Sequence, residues 1–410
     1  MAVGPAIFPE MLPIKGFRLG TTSAEIKYKE RKDLVVMEVT EGAVIAGVFT
    51  LNRFCAAPVQ ICKKHLASFA TSTAAKRYLV TNTGYANAGT GPDGYQNSLA
   101  VCERLATIKG VPVENVLPYS TGVIGEPLPV TIINGGLDRC LDTLSETGWV
   151  DAASGIMTTD TRPKGASVAL DINGNSVSIT GISKGSGMIM PNMATMLAYV
   201  ATDVGLSQSL AQALLKEAAD KSFNQATVDG DTSTNDSCML IATGVSAVTF
   251  ETSMDAGYAE FKAAFIAVCV ELAQAIIRDG EGATKFVTVR VEQAESRAEA
   301  RDVAYTVAHS PLVKTALFAA DPNWGRILAA IGRAPINDLD VDKVSVFLDN
   351  VLLAEQGGVA RSYKEDDGAR IMAQEEFSIV IRLGRGDVAA DVWTCDFSYD
   401  YVKINADYRS

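Results

Sequence analysis

Thr195 sits in an unusual setting, inside "KGSGMIMPNMATMLAYVATD", residues 184–203. The stretch is apolar, yet it holds Gly185, Gly187 and Pro191, which suit neither a helix nor a plain strand. It reads as a constrained approach to a small Ala194–Thr195 step, followed by a buried segment, "MLAYVAT". A threonine hydroxyl is a poor nucleophile unless a base stands beside it. The chain has only two histidines, His65 and His309, so a histidine triad or a His-rich metal centre has little to draw on. One base needs no histidine. The α-amine of an N-terminal threonine, with a pKa of about 8, can take the hydroxyl proton. For an internal residue this requires a cut at Ala194–Thr195. The Thr195 hydroxyl would attack the Ala194 carbonyl, the amide would become an ester with a free amine, and water would open the ester. The same residues also suit a threonine that is simply packed.

Other stretches offer parts of such a site, each with a plainer reading beside it. "YSTGVIGEPLP" (119–129) places small polar residues ahead of a glycine turn. A loop of that kind can aim a hydroxyl and a backbone N–H at one developing oxyanion, or be an ordinary loop. "MTTDTRPKG" (157–165) has the Thr/Asp content of turn chemistry. Glu281 follows a predicted helix end, where an acid opposes the macrodipole; it is either an exposed loop acid or a residue kept for another use. "GTGPDG" (89–94) matches GxGxxG, but the strand signal "RYLV" ends at Val80, too early for a dinucleotide loop. A turn before a helix is the better account.

These candidates need a frame. The chain of 410 residues is 48% hydrophobic and 20% charged, ordinary for a globular protein of two or three domains. Seven scattered cysteines without a CxxC pair point to reduced core thiols. Residues 1–194 hold 17 basic and 16 acidic residues (+1), and residues 195–410 hold 19 and 32 (−13), summing to −12. Neither half has a basic excess for nucleic acid. No stretch is long and apolar enough to span a membrane, and the prolines at the N-terminus do not suit a signal peptide, so a cytoplasmic location is expected. Strand patterns cover 34–50 and 376–404, the latter with "GRGD" as a hairpin turn. A second hairpin is expected over 167–180, turning at Asn173–Gly174. Helical stripes run through Leu206, Leu210 and Leu214, and from Phe261 to Ile276. Strands and helices interleave without regular alternation, which predicts α+β layers.

Taken together, the stretch around Thr195 resembles the self-processing segment of the ornithine acetyltransferase family, also called the glutamate N-acetyltransferases of arginine biosynthesis. "TGYANAGTGPDG", "STGVIGEPLP", "MTTDTRPK", "TVDGDTSTNDS", "DGEGATK", "SPLVKTALFAADPNWGRI" and the final "INADYRS" resemble the family's blocks in the same order. The resemblance implies cleavage between Ala194 and Thr195 into an α chain (1–194) and a β chain (195–410) that stay together as an α2β2 assembly. It implies that Thr195 is the nucleophile, and that Thr121 and Gly122 form the oxyanion hole. Thr158, Lys184, Thr195, Glu281, Asn405 and Ser410 would bind the substrates, N-acetylornithine and glutamate. The implied fold is an αββα-type sandwich like that of the N-terminal-nucleophile aminopeptidases. No metal or resident cofactor is implied; acetyl-CoA enters only as co-substrate of a bifunctional enzyme. Two positions depart from the family pattern, Tyr85 and His309, where asparagine is usual. Hydrolysis, or a non-catalytic relative keeping the fold, are the competing readings.

Overall fold

The computed structural model describes residues 2–5, 7–68, 75–190 and 196–408. The chain divides into two compact units. The larger joins Ile7–Asn224 to Asp231–Ile276, and the smaller joins Met1–Ala6, Gln225–Gly230 and Ile277–Ser410.

The larger unit opens with β1 (Phe17–Thr22), β2 (Leu34–Val39), β3 (Val44–Phe49), α1 (Ala57–Ser68) and β4 (Arg77–Tyr85). Then follow α2 (Gly91–Lys109), β5 (Val116–Val123), α3 (Val130–Asp142), α4 (Trp149–Gly155), β6 (Lys164–Ile172) and β7 (Asn175–Lys184). It closes with β8 (Leu197–Thr202), β9 (Gly205–Leu206), α5 (Gln208–Lys221), β10 (Ser237–Ala242), β11 (Thr249–Phe250) and α6 (Tyr258–Arg278). Two sheets carry it, in the orders β1-β2-β4-β5 and β3-β10-β8-β7-β6. Phe17, Val35 and Tyr119 of the first meet Ile182, Tyr199 and Met239 of the second in one buried cluster. Val36 and Val80, on the opposite face of the first sheet, pack against Leu105 of α2 and Leu137 of α3. Beyond the second sheet, α5 lies on β3, and the Leu272 carbonyl of α6 accepts from Ser183 Oγ. Helices, sheet, sheet, helices: the larger unit has the αββα layering.

Local signals account for much of this. Phe261, Phe265, Val268, Leu272 and Ile276 are all buried on one face of α6. Asn173 (φ 54°) and Gly174 (φ 81°) both take positive φ, as a two-residue turn between right-twisted strands requires. Leu206 falls in β9, so the helical stripe starts two residues later, at Gln208.

The smaller unit holds β12 (Phe286–Ala294), α7 (Arg297–Ala308), α8 (Pro311–Phe318), α9 (Trp324–Ile331), β13 (Ser345–Leu348) and β14 (Val351–Glu355). After them come β15 (Gly358–Val359), α10 (Glu365–Met372), β16 (Glu376–Arg382), β17 (Val388–Cys395) and α11 (Tyr399–Ala406). Its sheet runs β15-β14-β13-β16-β12-β17. "GRGD" is therefore not a hairpin turn, because β12 lies between β16 and β17, parallel to one and antiparallel to the other. Nor does strand continue to residue 404. The Ser398 hydroxyl caps the N–H of Tyr401 and starts α11 instead.

All seven cysteines are free thiols, and all but Cys55 are buried. Among the described residues, no helix is long and apolar enough to cross a membrane.

Candidate active site

Thr121 and Gly122 lie in β5 rather than in a loop, and Tyr85 is the last residue of β4, which runs past Val80. The two strands are parallel, with Gly84 opposite Gly122. Gly122 has φ 132°, and a Cβ there would stand 2.2 Å from the Gly84 carbonyl carbon. Only glycine fits this backbone approach. Thr121 is buried, and Lys184 Nζ, at the end of β7, donates to its Oγ1 at 3.0 Å. With its oxygen accepting from an ammonium, the Thr121 hydroxyl has its own hydrogen left to donate elsewhere. Lys184 also stands opposite Leu197 in the β7–β8 ladder, two residues past Thr195. Thr195 itself, with Ala194 and Ser410, lies outside the described residues.

A buried carboxylate holds the next layer. Asp160 Oδ1 accepts from Lys164 Nζ (2.6 Å) and the Gly185 N–H (2.8 Å), while Oδ2 accepts the Thr158 N–H (2.9 Å). One side chain thus fixes Thr158 and the residue after Lys184. Burial pushes this carboxyl up, but the Lys164 and Lys184 ammoniums and these hydrogen bonds outweigh it and hold it well below the usual range. The Asp160–Lys164 pair is essentially inaccessible, 0% and 1% exposed at the side chains. Asp160→Ala should lower stability by about 3–5 kcal/mol, because it strips a buried ammonium of its counter-charge. A folded pKa below the unfolded one means the stabilisation is complete above about pH 4 and fades as pH falls below it. Urea melts of the wild type and Asp160→Ala at neutral pH and near pH 3 check both statements. Equal midpoints at neutral pH would refute the first.

In the smaller unit, Glu281 is buried, 6% exposed, so it is not a free loop acid. Its Oε2 accepts from Asn405 Nδ2 of α11 at 2.7 Å. Two residues 124 positions apart, both implied in substrate binding, are paired. His309 is half-buried and stacks on Tyr305, with Nε2 at 3.0 Å from Thr227 Oγ1. Burial, then Lys314 and Arg333, push its pKa down to about 4, so it is a packed neutral ring. Tyr85 carries the Lys27 ammonium over its ring, 5.4 Å from the centroid.

Sequence reasoning missed Asp160, Asn235 and Asp236. "TRPK" hid the first: Asp160 and Lys164 are four apart, a spacing that can pair, but nothing in the string announces their burial. Among the described residues, no cluster of His, Cys, Asp or Glu could hold a metal ion.

The ArgJ family profile matches residues 18–410. The arginine biosynthesis bifunctional protein ArgJ of Pseudomonas fluorescens is 56% identical over the whole of both chains. That of Pseudomonas syringae pv. tomato is likewise 56% identical over the whole of both chains. A solved structure of arginine biosynthesis bifunctional protein argJ from Bacillus halodurans is 36% identical, with a TM-score of 0.50; it covers 52% of this chain and 100% of its own.

Proposed function

The chain belongs to the ArgJ family, and from that premise we propose that it moves an acetyl group from N-acetylornithine to glutamate through an ester on Thr195. The observation that carries the site assignment is the Lys184–Thr121 contact, which leaves the Thr121 hydroxyl its own hydrogen to donate, next to the Gly122 backbone. Self-cleavage comes first. Thr195 Oγ attacks the Ala194 carbonyl, its proton passes to the departing amide nitrogen, and water hydrolyses the resulting ester. The α fragment (1–194) and β fragment (195–410) stay joined, because β7 and β8 pair across the cut and β3 pairs with β10. That a solved relative is matched in full by about half of this chain is in keeping with such fragments.

In turnover the Thr195 α-amine takes the hydroxyl proton as Oγ attacks the acetyl carbonyl. The Thr121 hydroxyl and the Gly122 N–H hold the oxyanion. The proton goes to the leaving amine of ornithine, and the α-amine of glutamate then attacks the ester to give N-acetylglutamate and free Thr195. Thr158, Lys184, Glu281, Asn405 and Ser410 bind the amino-acid substrates. An amide is exchanged for an amide, so no nucleotide is required. The enzyme works in the cytoplasm as an α2β2 unit.

The word "bifunctional" in the names of both full-length relatives favours a second activity, acetylation of glutamate from acetyl-CoA. The same ester serves it, with the CoA thiol as leaving group. Intact mass of the β fragment, quenched after mixing with N-acetylornithine alone, should show one added acetyl group, and acetyl-CoA alone should give the same adduct. No adduct from either donor, together with intersecting double-reciprocal lines, would mean direct transfer between bound substrates.

A further inference from the structure

The buried side chains of the loop 231–236 include Asn235 and Asp236, which have no part in the reaction above. Asn235 Nδ2 donates to the carbonyls of Ala86 (2.6 Å) and Ser120 (2.9 Å), tethering the loop to the residue just before Thr121. Asp236 is 2% exposed, and its Oδ1 accepts the Met196 N–H at 2.9 Å. The Met196 carbonyl accepts the Ser237 N–H at 3.0 Å. Consecutive residues thus hold both polar ends of Met196. Met196 follows Thr195 directly in the chain, so the N–H held by Asp236 belongs to the peptide bond that joins the two.

We propose that Asp236 is a positioning residue for the nucleophile: it fixes the N–H of Met196, the residue after Thr195 in the chain, while its neighbour Asn235 fixes the Thr121 strand, so one loop ties the start of the β segment to the oxyanion donors. This rests on Thr195 being the nucleophile. A short rigid link between the two halves of a site is what near-attack geometry demands, since a displacement of about 1 Å can slow a reaction on the order of 10²-fold. Burial holds the Asp236 carboxyl well above the usual range, against the pull of the Ser233 hydroxyl, the Met196 N–H and the Lys184 ammonium. The Met196 N–H needs only an acceptor oxygen from this side chain, and asparagine offers the same oxygen.

Asp236→Asn and Asp236→Ala in the full chain test this. The asparagine variant should keep most of the self-cleavage rate and of kcat. The alanine variant should lose both on the order of 10²-fold, with KM changed only a few-fold. If the alanine variant is insoluble, Asp236→Ser replaces it, its hydroxyl being too short to reach the Met196 N–H. Three results would each overturn the proposal: alanine matching wild type, asparagine as impaired as alanine, or a raised KM at unchanged kcat. A Thr195→Ala chain run in parallel separates the two levels. If that chain still cleaves or transfers acetyl, the nucleophile assignment has failed, whatever Asp236 shows.

Discussion

Thr195→Ala should yield one uncut chain of 410 residues and reduce acetyl transfer by at least on the order of 10⁴. Without the hydroxyl there is nothing to attack the Ala194 carbonyl, and without the cut there is no α-amine to act as base. Both functions fall with one atom. Thr195→Ser keeps the oxygen and should still cleave, more slowly, since serine lacks the methyl group that restricts the side-chain rotamer. The alanine chain should fold, because the strands on either side of the cut already pair through Lys184 and Leu197. A denaturing gel with intact mass reads the result directly. Wild type should give two fragments that separate only on denaturation. Two fragments from the alanine variant would place the cut in the hands of an outside protease and remove the reason for an N-terminal threonine.

How far the sequence reaches depends on how local each feature is. The Asn173–Gly174 hairpin and α6 are written in neighbouring residues, through a turn that needs positive φ and a stripe repeating every three or four positions. "GRGD" failed because strand order is not local: β12, some ninety residues earlier, inserts between β16 and β17. α11 was hidden by tyrosine, valine and isoleucine, which read as strand until the Ser398 cap is seen. The glycines beside Thr121 read as a loop, yet Gly122 is there to let two strands touch.

The same holds at the site. The family resemblance names Thr121, Gly122, Thr158, Lys184, Glu281 and Asn405, while composition and spacing alone leave Thr121, Gly122, Thr158 and Glu281 with plainer readings and do not single out Lys184 or Asn405. What no single stretch could reveal is who holds whom. Lys184 reaches Thr121 across 63 residues, and Asn235 reaches Ser120 across 115. Surroundings decide the rest: two lysines and backbone N–H groups hold the buried Asp160 carboxyl low, while burial holds the Asp236 carboxyl high, two aspartates indistinguishable in the string.

Thr121→Val should lower kcat for acetyl transfer on the order of 10²–10³-fold, with KM for N-acetylornithine changed less than about threefold. Valine keeps the branched shape that suits β5 and removes only the hydroxyl. Lys184 keeps its charge and its attraction to Asp160, so the field at the site is little altered. What disappears is a donor that matters when the carbonyl oxygen gains charge, and therefore chiefly in the transition state. The cleavage step passes through the same kind of oxyanion at the Ala194 carbonyl, so maturation of the variant should slow as well. A raised KM at unchanged kcat would make Thr121 a substrate-binding group. Normal turnover would make the Lys184 contact a structural bond alone. Slow transfer with maturation at the wild-type rate would mean that cleavage and turnover draw on different donors, and Thr121 would then belong to the mature site only.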